Sequence, residues 1–300
     1  MPKFRIFIIS LLSSCFVSIN WASESQRPQA MIRSGIFFSS TPYISQPDLK
    51  VAMQFWASQL GQQVSFSSHT TIYTNINKMR DDFDKGIINF IVAKPLSIIQ
   101  GFDLTKLTAG YKAKWSGITA DNLLVISHKK ANINNFSSVE NKHLSLILND
   151  PISEIFVNTL ALEAFDLPAK QVFKKIEFIP KSNQLILNLF FQKTDVILIY
   201  KSFYELASEL NPQIKNNTQI IASLPNLLRS LGFFHPSVEA TLREQVLTEI
   251  ENLKSIPQGQ QLLELFRADS LVRSDTNDLD SIKALLKRYQ QLSNNKEYLH

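Results

Sequence analysis

The sequence predicts an α/β protein of two lobes, each a mixed sheet flanked by helices, with the C-terminal helices packing on the first lobe. Three observations lead there. Strand-type runs alternate with amphipathic stretches from Met31 to Leu224. From Pro236 to the end the pattern is helical. The chain has 300 residues, 44% hydrophobic and 19% charged, enough apolar surface for the cores of one or two domains. The expected first lobe takes 27–121 and 225–300, the second 122–224, with hinge crossings near 120 and 220.

The elements follow in order. "MIRSGIFFSS" (31–40) is β-branched and aromatic enough for a strand, and "TPY" ends it. "DLKVAMQFWASQLG" (48–61) spaces Leu49, Ala52, Met53, Trp56 and Leu60 helically, with Asp48 to cap its start and Gly61 its end. "QVSFSS" (63–68) is a short strand, "TNINKMRDDFDKG" (74–86) a helix and "INFIVAKP" (88–95) a buried strand. The second lobe repeats the rhythm: strands at 122–128, 143–149, 172–180, 195–200 and 218–224, with helices at 153–165, 183–194 and 201–210 between them. Helices at 236–254, 257–268 and 278–292 close the chain. No fixed short repeat interrupts this order.

The N-terminus predicts export. Lys3 and Arg5 precede the apolar stretch Ile6–Ile19, and Ala22 offers a small residue for cleavage, so 1–22 reads as a signal peptide directing the chain to the periplasm. The one cysteine, Cys15, lies inside it. "LSSC" there also resembles a lipobox, so lipid anchoring through Cys15 is the alternative to simple cleavage. Cleavage would lower the net charge from +5 to +3, because Lys3 and Arg5 leave and no acid does. No other stretch approaches the ~18 apolar residues of a membrane span.

Several function classes lose support. The basic residues are dispersed, without an aromatic-interleaved stripe, which argues against nucleic acid. Only eight glycines occur, and no phosphate-cradling G-x-G-x-x-G or Walker pattern. No His or Cys spacing suggests a metal, no cofactor is implied and no local pattern favours a Ser-His-Asp triad, so an α/β hydrolase is the weakest reading.

Residues at expected strand exits are the candidates for binding. In a two-lobed α/β protein, ligands lie in the crevice beyond the strand C-termini. Lys94 ends a buried strand there, and Tyr43 follows the first one. Ser182 and Asn183 precede an apolar helix, as N-caps or as ligand donors. His69 stands at another exit. The stretch "LSLILNDPISEIFVN" (144–158) joins a strand to a helix N-terminus, where free N–H groups and the helix dipole favour anions. Yet it carries Asp150 and Glu154, which either serve as capping charges or suit a ligand with a positive, donor-rich group.

In their order, these segments resemble the periplasmic phosphate, phosphite and phosphonate substrate-binding proteins of ABC transporters, which have the type 2 periplasmic-binding fold. "DKGIINFIVAKPLSI" is similar to the family's G-x-x-D…P-L segment, with Asn89 in the place of Asp and Ile98 where an aromatic is frequent. "LILNDPISEIFVNTLALEAFDL" occupies the family's strand, Ser/Thr-rich turn and helix, and "FQKTDVILIY" its later strand. The resemblance covers nearly all of the chain after residue 22. It implies a non-enzymatic, monomeric protein that captures a small phosphate- or phosphonate-like solute for an ABC permease. A periplasmic sensor or accessory module of the same fold, reporting to a membrane sensor protein, is the alternative. By resemblance, Tyr43 and Asp195 line the pocket, and of the hydroxyl-rich turn that grips the anion only Ser153 remains.

Overall fold

A computed structural model of the protein describes residues 31–37, 51, 67–266 and 268–294. The segment 1–22 with Cys15, the helix expected over 48–61 and Tyr43 lie outside the described residues.

Two sheets form the frame. The first has six strands in the order β11-β4-β10-β3-β1-β2. These are β1 (Met31–Phe37), β2 (Ser67–Tyr73), β3 (Phe90–Ala93), β4 (Thr108–Lys114), β10 (Leu231–Phe234) and β11 (Ser270–Ser274). β1 runs parallel to β2 and β3, while β10 and β11 run antiparallel to their neighbours. The second sheet has five strands in the order β7-β6-β8-β5-β9. They are β5 (Asp121–His128), β6 (His143–Ile147), β7 (Lys175–Ile179), β8 (Val196–Tyr200) and β9 (Thr218–Leu227). β6 is parallel to β7 and β8, and β5 is antiparallel to β8 and β9.

Helices cover both faces of each sheet. On one face of the first lie α1 (Ile76–Asp84) and α2 (Pro95–Gly101), with Met79, Phe83 and Ile98 buried against Ile91 and Phe233. α8 (Ala240–Glu251) and α9 (Pro257–Leu265) cover the other, through Val246, Leu247, Ile250 and Leu262. α3 (Pro151–Phe165) and the short α4 (Ala169–Val172) pack on one face of the second sheet. α5 (Ser182–Phe190) and α6 (Lys201–Leu210) pack on its other face, and α7 (Pro212–Asn217) leads into β9. The inner strands of the second sheet, β6, β8 and most of β5, are buried and largely apolar, as cover on both faces requires, while the edge strands β7 and β9 are partly exposed.

The last helix, α10 (Asp280–Asn294), reaches further than the sequence suggested. It contacts α2 beneath the first sheet and packs along α3 and β9 of the second. Ile282 and Leu285 share one core cluster with Leu96 and Phe156. A charge-assisted hydrogen bond of 2.5 Å from Lys112 in β4 to Asp278 fixes the root of α10. Its outer face pairs Arg288 with Glu163 of α3.

Strands β4, β10 and β11, and helices α2 and α7, were not legible in the sequence. β2 continues to Tyr73, so His69 sits exposed within the strand rather than at its exit. β9 runs to Leu227, three residues past its expected end.

Two histidines tie stability to pH. His128 is 3% exposed, and its Nδ1 accepts the Lys130 N–H at 3.1 Å. Burial, helped by the charge of Lys130, holds its pKa below the usual value. Burial does the same for His235, which meets the ring of Phe83 edge-on. Both are kept neutral in the fold, so the unfolded chain binds more protons below about pH 6.5. Stability is therefore complete above that pH and falls as pH drops through it. Thermal melts between about pH 7.5 and 5 check this, and His128→Gln is expected to flatten the slope.

Candidate functional site

The chain crosses between the sheets at residues 115–120 and 228–230. Both crossings leave from the edge where β1, β2 and β3 terminate, since Leu231 at the start of β10 pairs with Ala93 at the end of β3 and with Lys112 of β4. They arrive at the edge of the second sheet where β6, β7 and β8 terminate, because Leu123 of β5 pairs with Tyr200 and Asp121 with Leu227. The strand C-termini of both sheets thus lie at the edges joined by the two crossings, the expected position of the crevice in which an open α/β sheet places its ligand.

On the second lobe this edge carries a connected polar group. Asp150 is the N-cap residue of α3, but its carboxylate makes no capping bond to the backbone. It instead accepts the Ser153 hydroxyl at 2.6 Å and, at 3.5 Å, the Tyr200 phenol. Burial, and then the negative charge of Asp150, drive the Tyr200 pKa far up, so the phenol stays protonated. One strand over, Asp121 is 4% exposed. It accepts the Ser202 hydroxyl at 2.6 Å, the Ser202 N–H at 3.2 Å and the Asn122 N–H at 2.8 Å. Asp121 therefore supplies the acceptor that α6 lacks, for the N-cap residue Tyr200 makes no side-chain cap. Arg229, in the second crossing, stands 3.7 Å from Asp121 and donates to the Ser202 hydroxyl at 3.2 Å.

The expected site residues divide. Ser153 is fully buried and its proton is committed to Asp150, so it offers the crevice no free donor. Lys94 is exposed at the end of β3 as the N-cap residue of α2, without a capping side chain. Ser182 and Asn183 lie on the crevice edge, half-buried and exposed, as the first two residues of α5; Lys181 is the N-cap position, so neither serves as the expected cap. Asp195 lies away from the edge that carries Asp150 and Tyr200. It precedes β8 at the end opposite Tyr200, about 16 Å away along an extended strand. Its carboxylate accepts the His143 N–H at 2.9 Å, which anchors the start of β6. Asn89 is likewise structural: it accepts the Arg33 N–H at 2.7 Å and donates to the Met31 carbonyl at 2.9 Å. An ionised Asp there could not donate.

Sequence reasoning missed Asp121, Tyr200, Ser202 and Arg229. The first three flank predicted strand ends, and the pairing of β5 with β8, invisible to local pattern, brings them together. Among the described residues, no group of three or more His, Cys, Asp or Glu is placed to hold a metal.

A two-sheet α/β protein with a polar crevice edge and two crossings is a periplasmic-binding-type protein. The profile of the periplasmic substrate-binding proteins of ABC phosphonate transporters matches residues 38–279, and the chain belongs to that family. It is a family of binding proteins and not of enzymes. Solved structures share the fold at low identity. The binding-protein component of an ABC phosphonate transporter from Pseudomonas aeruginosa is 12% identical, covers 91% of each chain and superposes with a TM-score of 0.54. PhnD1 from Prochlorococcus marinus, in complex with methylphosphonate, is 14% identical over 88% of this chain and 99% of that one, with a TM-score of 0.56. A Xanthomonas citri protein bound to ATP is 11% identical over 89% of this chain and all of the other, with a TM-score of 0.60. Sequence comparison with curated proteins finds no match. Among the described residues, no helix is long and apolar enough to cross a membrane.

Proposed function

We propose that this protein is exported by its segment 1–22 and captures a small zwitterionic solute between its lobes for delivery to an ABC permease. In this reading the solute directs a positive, donor-rich group at the second lobe and an acidic group at Lys94. The observation that carries it is the Asp150 carboxylate at the start of α3. A helix N-terminus in a crevice attracts anions, but here a carboxylate already stands beside it, held by Ser153 and Tyr200. Buried Asp121 adds a second negative charge two strands away, beyond β8, and Arg229 offsets one of the two. A dianionic head group would meet net repulsion at this edge, whereas an ammonium or guanidinium would find acceptors. An aminoalkyl phosphonate or an amino acid fits both ends. Ser182, Asn183 and Tyr43 are the further candidates to border the solute.

Calorimetric titration of the purified chain tests this. Aminoalkyl phosphonates and amino acids are expected to bind more tightly than phosphate or methylphosphonate. Asp150→Ser removes the carboxylate and frees the Ser153 hydroxyl. It is expected to weaken the zwitterion by about tenfold to a hundredfold, the worth of one charge-assisted hydrogen bond, and to improve methylphosphonate. Unchanged affinities in that variant would refute the role of Asp150.

A further inference from the structure

Arg229 occupies an unusual mechanical position. It lies in the second crossing, yet its guanidinium sits 5.0 Å from the ring centroid of Trp115 at the start of the first crossing. Trp115 belongs mechanically to the first lobe. It packs against that lobe's core, and its indole N–H donates to the Phe266 carbonyl at 3.3 Å. The tight turn that follows, closed by paired backbone bonds between Trp115 and Ile118, is fastened to the same lobe by the Gly117 N–H donating to Asp269 at 2.7 Å. Among the described residues, the other partners of Arg229 belong to the second sheet and the helix that follows its strand β8: Phe203, at 5.8 Å from its ring centroid, with the Ser202 hydroxyl and the Asp121 carboxylate. One planar cation therefore joins the two sheets beside both crossings of the chain.

We infer that Arg229 is a latch across the hinge, a positioning residue that sets the angle between the lobes in the solute-free protein. Rotation about residues 119–120 and 228–230 must either lift the guanidinium from Trp115 or pull it from Phe203 and Asp121. The first loses a cation–π contact and the second a charge pair. Arginine suits the role because its planar fork stacks on a ring and donates sideways at once, which a lysine ammonium cannot do. The latch also links the hinge to the crevice, since Asp121 holds both Arg229 and the N-terminus of α6. The inference concerns the solute-free chain and holds whatever the solute is.

Pulsed electron–electron spin resonance on the full chain tests it. Spin labels at Asn77→Cys on α1 and Glu209→Cys on α6, with Cys15→Ser, report the distance between the lobes. Arg229→Ala and Trp115→Leu are each expected to lower the population at the parent distance, relative to all others, about tenfold. Arg229→Lys is expected to fall between them and the parent. The double variant is expected to shift no further than either single one, since both break the same contact. A folded Arg229→Ala protein with the parent distance distribution would overturn the inference. If that variant does not fold, parent distributions in both Arg229→Lys and Trp115→Leu would overturn it equally.

Discussion

Asp121→Ala is expected to destabilise the protein by about 2–4 kcal/mol, because a buried acceptor is removed while its donors stay in place. The Ser202 hydroxyl and N–H and the Asn122 N–H would all lose their partner, and Arg229 its counter-charge. The helix N-terminus at Lys201 would lose its only side-chain acceptor among the described residues. Asp121→Asn keeps an acceptor oxygen for Ser202 and loses the charge, so its cost should be roughly half as large. Urea denaturation checks both: the midpoint falls while the slope is unchanged, as for a loss of stability without a change in exposed surface. A neutral Asp121→Ala would mean that water reaches these donors freely, and the crevice edge would then not be the preorganised group described above.

The second large effect concerns the last helix. Ile282→Ala combined with Leu285→Ala should cost about 4 kcal/mol or more. Single large-to-small core changes cost about 2–5 kcal/mol, and neighbours sharing one cluster do not add in full. Both side chains are about nine-tenths or more buried, at 4% and 5% exposed, in the core cluster that also holds Leu96 and Phe156. The loss falls on both lobes, so denaturation is expected to remain a single transition at a lower midpoint. Arg288→Ala is the control: its pair with Glu163 is half-exposed on both sides, and such surface pairs are worth less than about 1 kcal/mol. A double variant as stable as the parent would show that α10 lies loosely on the lobes.

Most of the fold could be read from periodicity, and the reasons for the misses are local. β8 stands out as an unbroken apolar run, and β6, after its first residue, as one broken only by Ser145, because helices cover both faces of their sheet. β10 is four residues long and carries a glycine, so no window around Gly232 reads as a strand. That glycine is required by close packing: a Cβ on it would lie 2.6 Å from the ring of Phe90. β4 mixes Lys112 and Lys114 with Gly110, and a Cβ at Gly110 would collide with the Gly232 carbonyl at 1.7 Å. Such positions reveal strand contact only in three dimensions. The last helix was legible, but not the fact that it spans both lobes, because an apolar stripe does not name its partner.

The site was half legible. Strand exits could be located, which picked out Lys94, Ser182, Asn183 and the turn at Asp150. The resemblance to anion-binding relatives carried Ser153 and Asp195 with it, and the geometry treats them differently. Ser153 is at the crevice edge but its proton serves Asp150; Asp195 fastens the far end of the sheet. Tyr200, five residues along the same strand, is the residue that reaches Asp150. Asp121, Ser202 and Arg229 come together only through the pairing of β5 with β8 and the return of the chain at 228–230, which one sequence does not announce.

In the proposed function the crevice takes a solute with a positive group at Asp150. Native mass spectrometry of the full-length protein, expressed with its N-terminal segment and purified from a periplasmic extract without added phosphate, tests it most directly. The expected result is a co-purified small molecule that contains an amine or guanidine nitrogen, is released on denaturation and is absent from Asp150→Ala. Recovery of phosphate or a nitrogen-free phosphonate, retained by Asp150→Ala, would contradict it.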